Sequence, residues 1–125
     1  MQLAIPPGAE ARAREFYAGI LGMIEIEKPS ELRSRGGAWF ASGGVQLHLG
    51  VEVEFVPAKK AHPALRCHDY EMLMRKLREA GVAVTSETMP LEDGSEHAYI
   101  HDPFGNRIEL LAAAYPRSPA QQVLS

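Results

Sequence analysis

Cysteine is almost absent from this chain. Among 125 residues only Cys67 carries a thiol, which excludes an intramolecular disulfide framework and fits a reducing compartment. Long apolar runs are absent as well: no stretch of ~18 apolar residues is present to span a bilayer. The N-terminus lacks the layout of a signal peptide. Basic charge is not in excess either. The formal net charge is −3 and the lysines and arginines are scattered, apart from Arg12/Arg14, Arg33/Arg35 and Lys59-Lys60, so the footprint expected of a nucleic-acid binder is missing. These absences lead us to expect a soluble cytoplasmic protein with neither nucleic acid nor membrane as partner.

What is present is a repeated pattern. The length suits one domain able to bury an ordinary core. Ala13, Phe16, Tyr17, Ile20 and Leu21 recur at helical spacing and end at Gly22. Tyr70, Leu73, Met74 and Leu77 do the same, with Asp69 as N-cap and Gly81 after the end. A short extended segment precedes each helix, Gln2 to Ile5 and His62 to Cys67. An alternating strand follows each, Ile24-Glu25-Ile26 and Val82-Ala83-Val84. A hairpin closes each half: Ala38 to Ala41 turning at Ser42-Gly43-Gly44 into Val45 to Leu49, and His97 to His101 turning at Asp-Pro-Phe-Gly-Asn into Arg107 to Leu111. The expected fold is therefore α+β, with two βαβββ modules forming an open, cupped mixed sheet and helices outside. Residues 1–113 form one domain, with modules 1–50 and 61–113 joined by a linker over 51–60. Residues 114–125 read as a C-terminal tail, disordered or in contact with a partner.

The last strand carries one carboxylate in an apolar setting. Ile108 and Leu110 point to the helix side and Glu109 to the opposite, concave side. Such a group is costly to bury unless something pairs with it. On the strand Val45 to Leu49, Gln46 and His48 face the same concave side. Gln2 and His62 stand at the starts of the first strands, and the spacings agree: 46 residues from Gln2 to His48, 47 from His62 to Glu109. Four such groups converging on one concavity would make a nitrogen and oxygen site suited to Zn²⁺, Ni²⁺, Fe²⁺ or Mn²⁺. Arg66 and Arg107 lie on strands from which they could instead reach Glu109 and make an anion pocket. Trp39 and Tyr99 occupy comparable strands and offer apolar walls or packing. His68 is expected at a helix start, and His97 and His101 in the outer hairpin. Cys67, on the helix-facing side with Leu65, is not expected to be a nucleophile.

Phe16-Tyr17 with Leu21-Gly22, Leu47-His48-Leu49-Gly50 and the run from Asp102 to Leu110 together resemble the vicinal oxygen chelate superfamily. That superfamily includes glyoxalase I, bleomycin-resistance proteins, fosfomycin thiol transferases and extradiol dioxygenases. The resemblance covers roughly residues 1–113. It implies metal positions at Gln2, His48, His62 and Glu109. With the face assignment, this leads us to expect catalytic roles for Glu109 and His48 and substrate contacts from Gln46, Trp39, Arg66 and Arg107. It also implies a homodimer. The second metal position departs from glyoxalase I, where a carboxylate stands in place of His48. Three functions follow as expectations: a metal-dependent lyase or isomerase acting on a small substrate chelated through vicinal oxygens, a metal-independent protein that sequesters a drug, or an extradiol dioxygenase or fosfomycin-type thiol transferase. The scaffold hosts many chemistries and does not choose among them.

Overall fold

The computed structural model describes residues 1–86 and 95–112, together with the backbone of Val123 and Leu124. The first module runs β1 (Gln2–Ile5), α1 (Glu10–Ala13), β2 (Ile24–Ile26), β3 (Ala38–Ser42) and β4 (Val45–Val51). The second runs β5 (Ala64–Cys67), α2 (Tyr70–Glu79), β6 (Thr85–Ser86), β7 (His97–His101) and β8 (Arg107–Ala112). Each module makes its own mixed sheet, β1-β4-β3-β2 in the first and β6-β7-β8-β5 in the second. The strand that opens each module lies parallel to the one that closes it, and the others run antiparallel. This is the expected α+β architecture of two βαβββ units with open sheets. A further short strand, β9 (Val123–Leu124), pairs in parallel with β5. The rest of the segment expected as a tail lies outside the described residues. Among those residues, no helix is long and apolar enough to cross a membrane.

Three elements differ from expectation. The first helix is α-helical only from Glu10 to Ala13 and continues over Arg14–Ile20 as a π-helix, with the Leu21 N–H donating to the Phe16 carbonyl at 2.9 Å. The wider turn lets two consecutive aromatic residues, Phe16 and Tyr17, both face the core. The strand expected at Val82 to Val84 forms instead at Thr85–Ser86. Val82 still caps the helix, its N–H donating to the Leu77 carbonyl, and both valines pack against the core before ladder pairing begins. β4 extends to Val51, because Ile5 supplies a partner for it.

Strand alternation sorts the faces as the pattern requires. Val45, Leu47 and Leu49 of β4, and Ile108 and Leu110 of β8, are buried among Ile5, Tyr17, Phe40, Leu65, Leu77 and Ile100. Asp69 caps α2 by accepting from the Met72 N–H. Gly37 sits at φ +86°, and a Cβ there would stand 2.0 Å from the Leu49 carbonyl oxygen. Only glycine permits this approach to β4.

The modules are joined by a polar clasp. Asp102, buried at 5 % exposure, opens the turn between β7 and β8. Its carboxylate accepts from the backbone N–H of Phe104 (3.0 Å), from the backbone N–H of Asn106 (2.8 Å), from the Asn106 side-chain amide (2.8 Å) and from the Tyr17 hydroxyl (2.7 Å). The Asn106 amide also donates to the Ala4 carbonyl of β1 at 2.8 Å. Burial, with the Asp102 charge beside it, holds the Tyr17 phenol well above its ordinary range.

Replacing Asp102 by alanine strands these donors, and we expect a loss of about 3 kcal/mol or more in denaturant unfolding, against about 1 kcal/mol for Tyr17→Phe. A raised tyrosine contributes stability that is full below the unfolded value of ~10 and is lost as pH climbs toward the folded one. Wild-type stability should thus fall above about pH 10, and Tyr17→Phe should flatten that limb. Equal unfolding midpoints for Asp102→Ala and wild type would rule the clasp out.

Candidate functional site

Glu109 projects from β8 onto the face opposite the core, in register with Tyr99 of β7 and Ala64 of β5. An imidazole holds each of its oxygens. His62 Nε2 lies 3.0 Å from Oε1, and His97 Nδ1 lies 2.9 Å from Oε2. The carboxylate side chain is 13 % exposed and the imidazoles 23 % and 11 %, so the group is sheltered yet reachable. Tyr99 presents its ring edge-on to both imidazoles, at 5.3 and 5.9 Å. The Arg107 guanidinium lies 4.0 Å from the Tyr99 ring centroid.

The Lys60 carbonyl orients the His62 ring. His62 Nδ1 lies 2.8 Å from that carbonyl oxygen. A carbonyl only accepts, so Nδ1 carries a proton. His62 Nε2 and His97 Nδ1 then flank the Glu109 carboxylate, one on each oxygen. A carboxylate held between two imidazoles is placed to pass a proton to a neighbouring molecule or to take one from it.

The equivalent face of the first module has a different character. His48 pairs in register with Gln2 and with Trp39. Its ring lies flat on Trp39, with centroids 3.6 Å apart and planes 1° from parallel. His48 Nε2 donates to the Gln46 side-chain oxygen at 3.2 Å. Burial, helped by the nearby amino-terminal charge, lowers the His48 pKa, so the neutral ring that stacks on indole is favoured.

Of the expected residues, the structure brings together His62 with Glu109, and Gln2 with His48, but the contacts found do not join the two pairs. The matched spacing is itself corrected by the register. Gln2 faces His48 as Ala64, not His62, faces Glu109, so His62 lies two residues ahead of the strand position that Gln2 occupies. Arg66 does not reach Glu109. It is buried, with Nη1 donating to the Ala112 carbonyl (2.7 Å) and the Ser95 hydroxyl (3.4 Å). Arg107 stacks on Tyr99 rather than pairing with the carboxylate. His97, assigned from sequence to the outer hairpin, turns out to be a partner of Glu109. The signal was available: a turn pairing His101 with Arg107 sets Tyr99 against Glu109, and His97 lies two residues along on the same face.

Within one chain, Gln2 and His48 do not converge with His62 and Glu109 on a common point. His48 contacts Trp39 and Gln46, and the two imidazoles at Glu109 take opposite oxygens. Among the described residues, no three His, Cys, Asp or Glu side chains are placed to hold a metal ion.

The model of the Glyoxalase/Bleomycin resistance protein/Dioxygenase superfamily matches residues 2–110. The chain belongs to this superfamily. A glyoxalase family protein from Bacillus anthracis shares 43 % identity over 89 % of each chain, with a TM-score of 0.84. TnmS3, an antibiotic binding protein from a Streptomyces species, shares 25 % over 89 % of this chain and 92 % of its own, with a TM-score of 0.65. Glyoxylase I 4 of Arabidopsis thaliana is 31 % identical over 106 residues, which is 76 % of this chain and 59 % of that protein. The superfamily member described here thus spans well under two thirds of that plant relative. Lactoylglutathione lyase from Agrobacterium tumefaciens, 20 % identical over 90 % of this chain and 91 % of its own with a TM-score of 0.64, shares the fold.

The lone thiol stays apart from this chemistry. Cys67 is 1 % exposed, and burial pushes its thiol up to about 12. A thiol reagent at pH 8 should leave the folded protein unmodified and titrate one thiol per chain after denaturation. Rapid modification of the folded protein would contradict this placement.

Proposed function

We propose that this superfamily member is a glyoxalase-like lyase or isomerase that moves a proton on a small substrate bearing adjacent oxygens. Glu109 is the proton-transfer group, and His62 and His97 hold and supply it. The observation that supports this reading is the Glu109 carboxylate held between two imidazoles, with His62 oriented by the Lys60 carbonyl on the far side of its ring. An acid and a base already in contact, sheltered but not sealed, suit removal of a proton from one carbon and its return to the next. Tyr99 and Arg107 form the adjoining wall, where the guanidinium can offset negative charge that develops on a substrate oxygen. Assembly as a homodimer belongs to the same proposal.

A second reading, metal-independent binding of a small molecule, has support from the likeness to the antibiotic binding protein and from the stacked Trp39–His48 wall.

The lyase reading is tested with the hemithioacetal of methylglyoxal and glutathione, the substrate type to which the name of the Agrobacterium enzyme points. Glu109→Gln should lower kcat by about 10² or more, and His97→Asn by a smaller factor, with the fold intact. Unchanged kcat in Glu109→Gln would defeat the proposal. Turnover lost to a chelator and restored by Zn²⁺, Ni²⁺, Fe²⁺ or Mn²⁺ would replace it with the metal-dependent reading. Ligand capture without turnover would favour the second.

A further inference from the structure

A cavity of about 420 Å³ opens on the first module, and Glu109 does not line it. Its walls include Gln2, Lys28, Arg35, Trp39, His48 and Gly50, and among the described residues no carboxylate lines it. We propose that this cavity binds a small oxyanion, a carboxylate or a phosphate monoester, attached to a planar apolar body. The volume lies in the range of small-molecule sites, though toward its lower end.

The charge argument rests on what each cation already does. Lys28 donates to the Gly36 carbonyl, which uses one of its three N–H groups. Among the described residues, Arg35 has no hydrogen-bond or ion-pair partner. Nearby cations differ: Arg33 contacts Glu27 and the Lys28 carbonyl, and Arg14 pairs with Glu25. Glu10 stands behind this wall, close to Gly36, and interacts with the Lys28 charge. Its carboxylate is engaged by the Gly37 N–H at 2.9 Å, and that bond lowers its pKa. Among the described residues, Arg35 is thus the one of these cations without a carboxylate partner. A planar guanidinium with all its donors unused beside an ammonium is a receptor for an oxyanion.

The body of the ligand is set by the wall. Trp39 and His48, stacked 3.6 Å apart, give a flat apolar surface. The Gln2 amide nitrogen lies over Gly50, 2.9 Å from where a Cβ would stand, and it adds a neutral donor. By strand register His48 occupies the place of Glu109, and Trp39 that of Tyr99. The two modules therefore repeat one framework with opposite polarity. Gln2 and His48, which the superfamily resemblance assigns to a metal, become walls of an anion site. This inference rests on the second reading, binding at the Trp39–His48 wall, and does not depend on the role of Glu109.

Trp39 is the only tryptophan in the chain, so its emission reports on the cavity directly. The full-length protein is titrated with benzoate and with phenyl phosphate, and in parallel with benzyl alcohol and benzylammonium. At least one of the two anions should change the emission saturably while the neutral and cationic analogues do not; which anion responds identifies the headgroup. Arg35→Gln, which loses no existing contact, should weaken anion binding by about tenfold. Lys28→Ala should weaken it as well, and Glu109→Gln should leave it unchanged. The proposal is overturned by the absence of a saturable anion response, by an equal response to benzyl alcohol, or by undiminished binding in Arg35→Gln. Loss of binding in Glu109→Gln would also overturn it, moving the anion to the other module.

Discussion

The buried carboxylate of Asp102 is the constraint on which the rest of the structure depends. Among the described residues no cation pairs with it, and its bonds come from two backbone N–H groups, one side-chain amide and one phenol. A charge buried in this way tolerates no loss of partners. Two of those bonds close the turn and so fix the register of β7 against β8. That register sets Tyr99 opposite Glu109 and brings His97 alongside. The bond from Tyr17, with the reach of Asn106 to Ala4, fastens the same turn to the first module. One side chain therefore determines both how the modules meet and where the acid–base group stands.

Repetition of a βαβββ unit explains the economy of the design. Each unit buries one face of its sheet and leaves the other for chemistry, and the alternation of β4 and β8 decides which residues appear there. The modules then diverge through a few substitutions at matching register positions. His48 with Trp39 makes a neutral stacked wall near two cations. Glu109 with His62 and His97 makes an acid–base cluster. Fold identity with the glyoxalase superfamily follows from the shared unit, whereas the reaction depends on these few positions.

Much of this was legible in the sequence, and the limits have physical causes. Hydrophobic alternation and the two turn motifs gave the modules, the buried faces and the exposure of Glu109, because a period of two leaves little freedom about which face is buried. The aromatic pair Phe16-Tyr17 hid a π-helix, since the wider turn alters hydrogen bonding without altering composition. His62 looked equivalent to Gln2 because counting residues cannot detect where strand pairing begins. The Asp102 clasp was read only as a turn: its second function needs Tyr17, 85 residues away in sequence. His97 is fixed by the hairpin register rather than by composition: the pairing of His101 with Arg107 sets Tyr99 against Glu109 and His97 two residues along on the same face.

The most direct test of the acid–base cluster is the tautomer of the His62 ring, followed by nitrogen-resolved NMR of protein labelled in its histidines. The Lys60 carbonyl requires a proton on Nδ1, and Nε2 faces the Glu109 carboxylate at 3.0 Å. Nδ1 should therefore carry a bound proton, and the Nε2 resonance should move in Glu109→Gln. A His62 ring with a bare Nδ1, or spectra unchanged by Glu109→Gln, would contradict it.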